Sequence, residues 1–178
     1  GPSGLGILYM KDKWIDEFTP YQGGGQMIND VHIDKSTYAT GYEKFEAGTP
    51  PIAPVIGFSS SLNFINVVNP NVIYDHEMTL HDYAYEKLSK FNNIKIFGSN
   101  KNKGAIISFN IEGVHNSDIG AMLDKKNIAI RTGHHCCQPL MKHFNVAGTS
   151  RISFGVYNTK DDVDYLVKSI EEVIKILL

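Results

Sequence analysis

The hydrophobic pattern places a boundary between two lobes at Asn69-Pro70-Asn71, and from residue 94 onward it changes to short strands alternating with helices. Downstream, apolar positions recur at helical or strand spacing. The clearest case is the last stretch, where Val163, Leu166, Val167, Ile170, Val173, Ile174 and Leu177 fall on one side of a 3.6-residue helix. Thr159 and Asp162 precede it at the spacing of a capping box, in which two side chains satisfy backbone N–H groups at the helix start. After Pro70, the positions of Ile73, Leu80, Ala84, Leu88 and Phe91 predict another helix, ended by Asn92-Asn93. Between these two helices, short strands are expected at 94–97, 105–109, 128–130 and 151–156. A helix is expected at 117–125, capped by Asn116 or Ser117, and a shorter one opens at Pro139.

Upstream, residues 53–67 read as a helix that is apolar almost all round, with Val55, Ile56, Leu62 and Ile65 on different sides. Residues 5–10 read as a short buried strand. The segment 19–52 shows little periodicity and carries Gly23-Gly24-Gly25 and Phe45-Glu46-Ala47-Gly48-Thr49-Pro50-Pro51. Loops of that length are usually functional or flexible. The pattern predicts a mixed α/β protein whose two lobes meet near 68–72.

Composition narrows the class. The chain has 178 residues, 42% of them hydrophobic and 20% charged, enough apolar mass for a globular core. A net charge of −2 without a basic block argues against nucleic-acid binding. No apolar run is long enough for a transmembrane helix, so no membrane role is expected. The two cysteines, Cys136 and Cys137, are adjacent, which ill suits an ordinary disulfide and points to a reducing compartment, the cytoplasm.

Candidate chemistry concentrates in Arg131-Thr132-Gly133-His134-His135-Cys136. A thiol reacts as its thiolate, and neighbouring cations favour that form. Arg131 supplies one such charge, either histidine can move protons, and Gly133 permits a tight turn. A small buried hydrophobe is the simpler account of a free cysteine. Zinc is disfavoured because the chain offers no second cysteine pair, so no metal is expected. Arg151, at the start of a predicted strand, suits a substrate carboxylate or a surface ion pair. Gly48-Thr49-Pro50 suits a phosphate or a plain turn.

In order along the chain, GPxGxGxLY, the GGG segment followed by Met27-Ile28, FEAGTP, RTGHHC, PLM and RISFGVYNT resemble the Suf-type (group II) cysteine desulfurases and selenocysteine lyases, which are fold-type I pyridoxal-phosphate (PLP) enzymes. The resemblance runs from the first residue to the last helix. It implies that residues 1–68 are the trailing part of a large PLP-binding domain, incomplete here, and that 69–178 are the small C-terminal α/β domain carrying the cysteine loop. It also implies a reaction in which L-cysteine becomes alanine and its sulfur is left as a persulfide on Cys136, bound for a sulfur-acceptor protein in iron–sulfur cluster assembly. Arg151 would hold the substrate carboxylate, with Arg131 supporting it, and Thr49 would reach the cofactor phosphate of the partner subunit in a homodimer.

Two departures accompany the resemblance. Cys137 stands where a small residue is usual, and it either competes for sulfur or fills space. The PLP lysine of the family lies just upstream of the GPxG segment, so it would precede Gly1, and none of Lys11, Lys13 or Lys35 takes its place. The chain is therefore expected to be a C-terminal fragment, an enzyme as the full-length protein and inactive alone. The alternatives are a selenocysteine lyase and a non-catalytic sulfur-relay or interaction domain.

Overall fold

In a computed structural model that describes residues 1–98 and 103–178, the chain divides into two units, Gly1–Val67 and Val68–Leu178. The first contains a single helical turn, α1 (Asp12–Ile15), then strands β1 (Ile28–Val31) and β2 (Ser36–Tyr38). A 3-10 turn over Gly41–Phe45 and a long helix, α2 (Ile52–Val68), complete it. The α2 helix falls where it was expected, but residues 5–10 form no strand. A strand exists through hydrogen bonds to a neighbour, and no described strand pairs with this segment. Its Leu8 is 75% exposed.

The β1–β2 hairpin lies inside the segment expected to be irregular. Ile28 pairs with Tyr38 and Val31 with Ser36, with an irregularity between Ile28 and Asp30. Only Ile28 of β1 is even partly covered, so no alternation of apolar and polar residues marks the strand. Local polar bonds hold it instead. Thr37 Oγ1 accepts from the Asp30 amide at 3.1 Å, and Asn29 Nδ2 donates to the Tyr38 carbonyl at 2.8 Å. No residue of α2 is buried, and Ile56 is 68% exposed.

The second unit opens with α3 (Pro70–Leu88), where Pro70 takes the first turn and Asn69 Oδ1 accepts from the Asn71 amide at 3.0 Å. It continues through β3 (Ile94–Phe97), β4 (Ile106–Ile111), α4 (Asn116–Asp124), β5 (Arg131–Gly133), α5 (Gln138–Phe144), β6 (Thr149–Ser153) and α6 (Lys160–Leu177). The strands form one antiparallel sheet in the order β3-β4-β6-β5. Helices α3, α4 and α6 bury one core with the sheet. It contains Leu80, Ala84 and Leu88 from α3, Ile107, Phe109 and Ile111 from β4, Ile119 and Leu123 from α4, Ile152 from β6, and Val163, Leu166, Ile170 and Val173 from α6. The mixed α/β class and the capping box of Thr159 and Asp162 are both as expected.

Three expectations in this unit shift. His115, rather than Asn116 or Ser117, caps α4, its ring nitrogen accepting from the Ser117 amide. The last strand begins at Thr149, so Arg151 sits in its middle. The strand expected at 128–130 begins only at Arg131, because residues 127 and 128 close the preceding helix. Asn127 is left-handed at φ 58°, its amide donates to Asp124 O, and the Ile128 amide donates to Leu123 O at 3.0 Å. Ile128 and Ile130 are apolar because they pack against the core.

Register fixes what shares the sheet face away from that core. Side chains alternate along a strand, and directly opposed residues share a face. Ile107, Phe109 and Ile111 point inward, so Ser108 and Asn110 point outward. Arg151 is opposite both Ser108 and Arg131, and Thr149 is opposite Gly133. The outer face thus carries both arginines at the edge where β5 runs into Cys136.

Candidate functional site

The loop from β5 to α5 is only four residues long, His134 to Cys137, and its shape follows from three backbone features. Gly133 has φ 110°, a value a side chain would strain. His135 and Cys136 are both left-handed, at φ 54° and 58°. Consecutive non-glycine residues there are uncommon, and such strain clusters at functional sites. The Cys137 amide then donates to His134 O at 2.8 Å, closing the turn into α5. The turn leaves both cysteines exposed with free thiols.

Side chains tie this loop to the sheet. Arg131 Nη2 lies 3.4 Å from Cys136 Sγ. His135 Nε2 lies 3.0 Å from Thr149 O and 2.9 Å from Thr149 Oγ1. A carbonyl oxygen can only accept, so Nε2 carries the hydrogen. Burial pushes the His135 pKa below the ordinary imidazole value, as do the charges of Arg151, Arg131 and His134, against an opposing contribution from the Thr149 bond. In the neutral ring Nδ1 is therefore a bare acceptor, and it is buried with no partner among the described residues.

The strands approach closely here because Gly148 has no side chain. A Cβ on it would lie 2.5 Å from Asn116 Nδ2 and 2.8 Å from the Gly133 carbonyl carbon. Asn110 Nδ2 donates to Gly148 O at 2.9 Å, and Asn116 Nδ2 reaches Thr149 O at 3.3 Å. The sequence reading missed the part of Asn110, Asn116 and Gly148 in fixing the start of β6. Asn116 or Ser117 is the cap that the sequence predicts for that helix, and Asn110 and Gly148 stand in no pattern that marks them.

The electrostatics at this edge are unusual. Arg131 and Arg151 are directly opposed across β5 and β6, a placement of like charges that destabilises a sheet. Among the described residues, none of the ion pairs includes either arginine. The Arg151 Nε–H is buried with no acceptor among the described residues. A carboxylate bound by both guanidinium groups would relieve the repulsion. Among the described residues, no three of His, Cys, Asp and Glu come together as metal ligands.

Arg131 thus links Cys136 to Arg151 within the second unit, by its contact with the thiol and by its register opposite Arg151. Thr49 belongs to the first, on an exposed turn. That turn is fixed by Gly48 at φ 81°, whose amide donates to Gly25 O at 3.0 Å. Gly24 packs so closely that a Cβ on it would lie 3.0 Å from Gly48 N. The triple glycine and the Gly48-Thr49-Pro50 turn are therefore one device. Beside it opens a cleft of about 440 Å³ lined by Leu8, Gln26, Gly48, Pro50 and Phe58, among others.

Comparison with known proteins gives one consistent answer. The aminotransferase class-V pattern matches residues 1–166. A probable cysteine desulfurase of Staphylococcus epidermidis is 42% identical over 173 residues, covering 97% of this chain and 42% of its own length. A cysteine desulfurase of Haloferax volcanii is 41% identical over 172 residues, covering 96% of this chain and 40% of its own. The crystal structure of the Escherichia coli cysteine desulfurase CsdA, in its S-sulfonic acid form, superposes with a TM-score of 0.93 at 36% identity, over 100% of this chain and 44% of that one. The chain spans about two fifths of the length of the curated relatives it matches. With a matched pattern over most of its residues, a shared fold and relatives of one kind, the chain belongs to the aminotransferase class-V family.

Proposed function

We propose that this chain is the C-terminal part of a PLP-dependent cysteine desulfurase, and that Cys136 is the residue that takes the sulfur. The observation that carries the reading is the exposed Cys136 thiol beside Arg131, on the sheet edge where Arg131 opposes Arg151. A nucleophile and two arginines outside any described ion pair, on one edge, suit an amino-acid substrate whose side-chain sulfur is attacked.

Each residue then has a task. Arg151 holds the substrate carboxylate through its planar fork, with Arg131 sharing the anion. The Cys136 thiolate attacks the sulfur of L-cysteine. A sulfur–sulfur bond forms, the carbon–sulfur bond breaks, and the carbon skeleton leaves as alanine after taking a proton. Pyridoxal phosphate, when bound, supplies the electron sink that weakens the carbon–sulfur bond. This chain fits such a group only at its edge. Thr49 and its braced turn can meet a phosphate, as the family resemblance implies across a homodimer, and no lysine here is assigned as the anchor.

The exposed position of Cys136 also suits onward transfer, since a persulfide on a surface loop can reach a sulfur-acceptor protein serving iron–sulfur assembly. Two free thiols fit a reducing compartment such as the cytoplasm. The test uses the full-length polypeptide with PLP and L-cysteine. Release of sulfide in the presence of a reductant, lost in Cys136→Ser, supports the reading. Turnover of selenocysteine alone would replace it with the lyase reading. Inertness towards both, with persulfide uptake from an added donor, would replace it with a relay role.

A further inference from the structure

We infer that His135 is a positioning residue whose Nε2–H bond to Thr149 holds the Cys136 thiol beside Arg131, on the sheet edge that also carries Arg151. The inference deepens the proposed sulfur-accepting role of Cys136 and rests on that reading. The loop departs from β5 at Gly133 and joins α5 at Cys137, and it places two successive residues in the left-handed region. Such a backbone persists only where its surroundings over-determine it. Among the described residues, His135 is the loop side chain that bonds the main chain of the sheet, to Thr149 O at 3.0 Å. Thr149 is two residues from Arg151 on the same outward face and is itself buried. One hydrogen bond therefore joins the residue before the nucleophile to the strand that carries the carboxylate-binding arginine.

The chemistry of the ring supports positioning over proton transfer. Nε2 must donate to the carbonyl, so the bond occupies the one hydrogen of the neutral imidazole. Nδ1 is buried and has no hydrogen-bond partner among the described residues. What the ring supplies is a fixed donor at a fixed reach, which a glutamine amide at the same position can reproduce and a phenylalanine cannot.

The experiment compares alkylation of Cys136 by iodoacetate, an anion, and by iodoacetamide, its neutral counterpart, read peptide by peptide in the full chain. The ratio of the two rates cancels the thiolate fraction and reports the positive charge next to the sulfur. In the wild type the ratio at Cys136 should exceed that at Cys137, the internal control. His135→Phe should lower it several-fold, towards the Cys137 value, and His135→Gln should keep it. A ring that only filled space would give the opposite order, with Phe retaining the ratio and Gln losing it. An unchanged ratio in His135→Phe, or an equal fall in both variants, overturns the inference. Should His135→Phe not fold, His135→Ala with His135→Gln makes the same comparison. Failure of the sulfur-accepting reading would appear elsewhere, as no sulfur on Cys136 from L-cysteine with these ratios intact.

Discussion

Helices α2 and α6 are nearly equal in length, 17 and 18 residues, yet they behave in opposite ways. In α6 the apolar residues form one stripe, and Val163, Leu166, Ile170 and Val173 are buried against the sheet and its companion helices. In α2 apolar residues point in every direction and none is buried. A one-sided stripe specifies a neighbour within its own unit, whereas an all-round apolar helix specifies burial in something larger. The contrast extends to the units they belong to. The second closes a core, while the first exposes Ile7, Leu8 and Tyr9 as well as most of α2. Matching relatives more than twice as long fits the same division.

Substitutions should separate the two units by size of effect. Phe109→Ala removes a fully buried ring from β4 and should cost about 3–5 kcal/mol in denaturant unfolding. Thr159→Ala deletes half of the α6 capping box and should cost about 1 kcal/mol by the same measurement. A smaller effect should follow pH. Because His135 titrates below its ordinary value in the folded chain, the unfolded chain takes up that proton first. The contribution is fully present above about pH 6.5 and is lost as pH falls through that value towards the folded-state pKa. Urea titrations at about pH 7.5 and 5.5 should show this loss in the wild type and not in His135→Gln. Asp162 and Asp164 are held below the ordinary carboxylate range, chiefly by the Thr159 amide and by Lys87. Their contributions are present at neutral pH and are lost only below about pH 4, so the two windows are distinct. Ile56→Gln on α2 should change unfolding by no more than about 0.5 kcal/mol. An effect as large as that of Phe109→Ala would break the comparison, since it would mean that α2 belongs to a closed core.

The second unit was legible because its pattern and its packing agree. The stripe of α6, the box at Thr159 and Asp162, and Pro70 after Asn69 each satisfy a local rule that the fold also uses. The strand before Cys136 was misplaced by three residues because Ile128 and Ile130 look like strand residues while serving the helix end and the core. The hairpin at Ile28–Tyr38 escaped notice because its strands bury almost nothing. At the candidate site, Cys136, Arg131 and Arg151 could be named from motif order, and strand register brings them together. The roles of Gly148 and Asn110 depend on contacts between residues far apart in the chain, which no local pattern records.

The most direct test of the account is the mass of the Cys136 peptide from the full-length polypeptide after incubation with PLP and L-cysteine. The account predicts a gain of one sulfur atom localised to Cys136, absent in Cys136→Ser and unaffected in Cys137→Ala. Sulfur found only on Cys137, or sulfide released while Cys136 stays unmodified in Cys137→Ala, would contradict it.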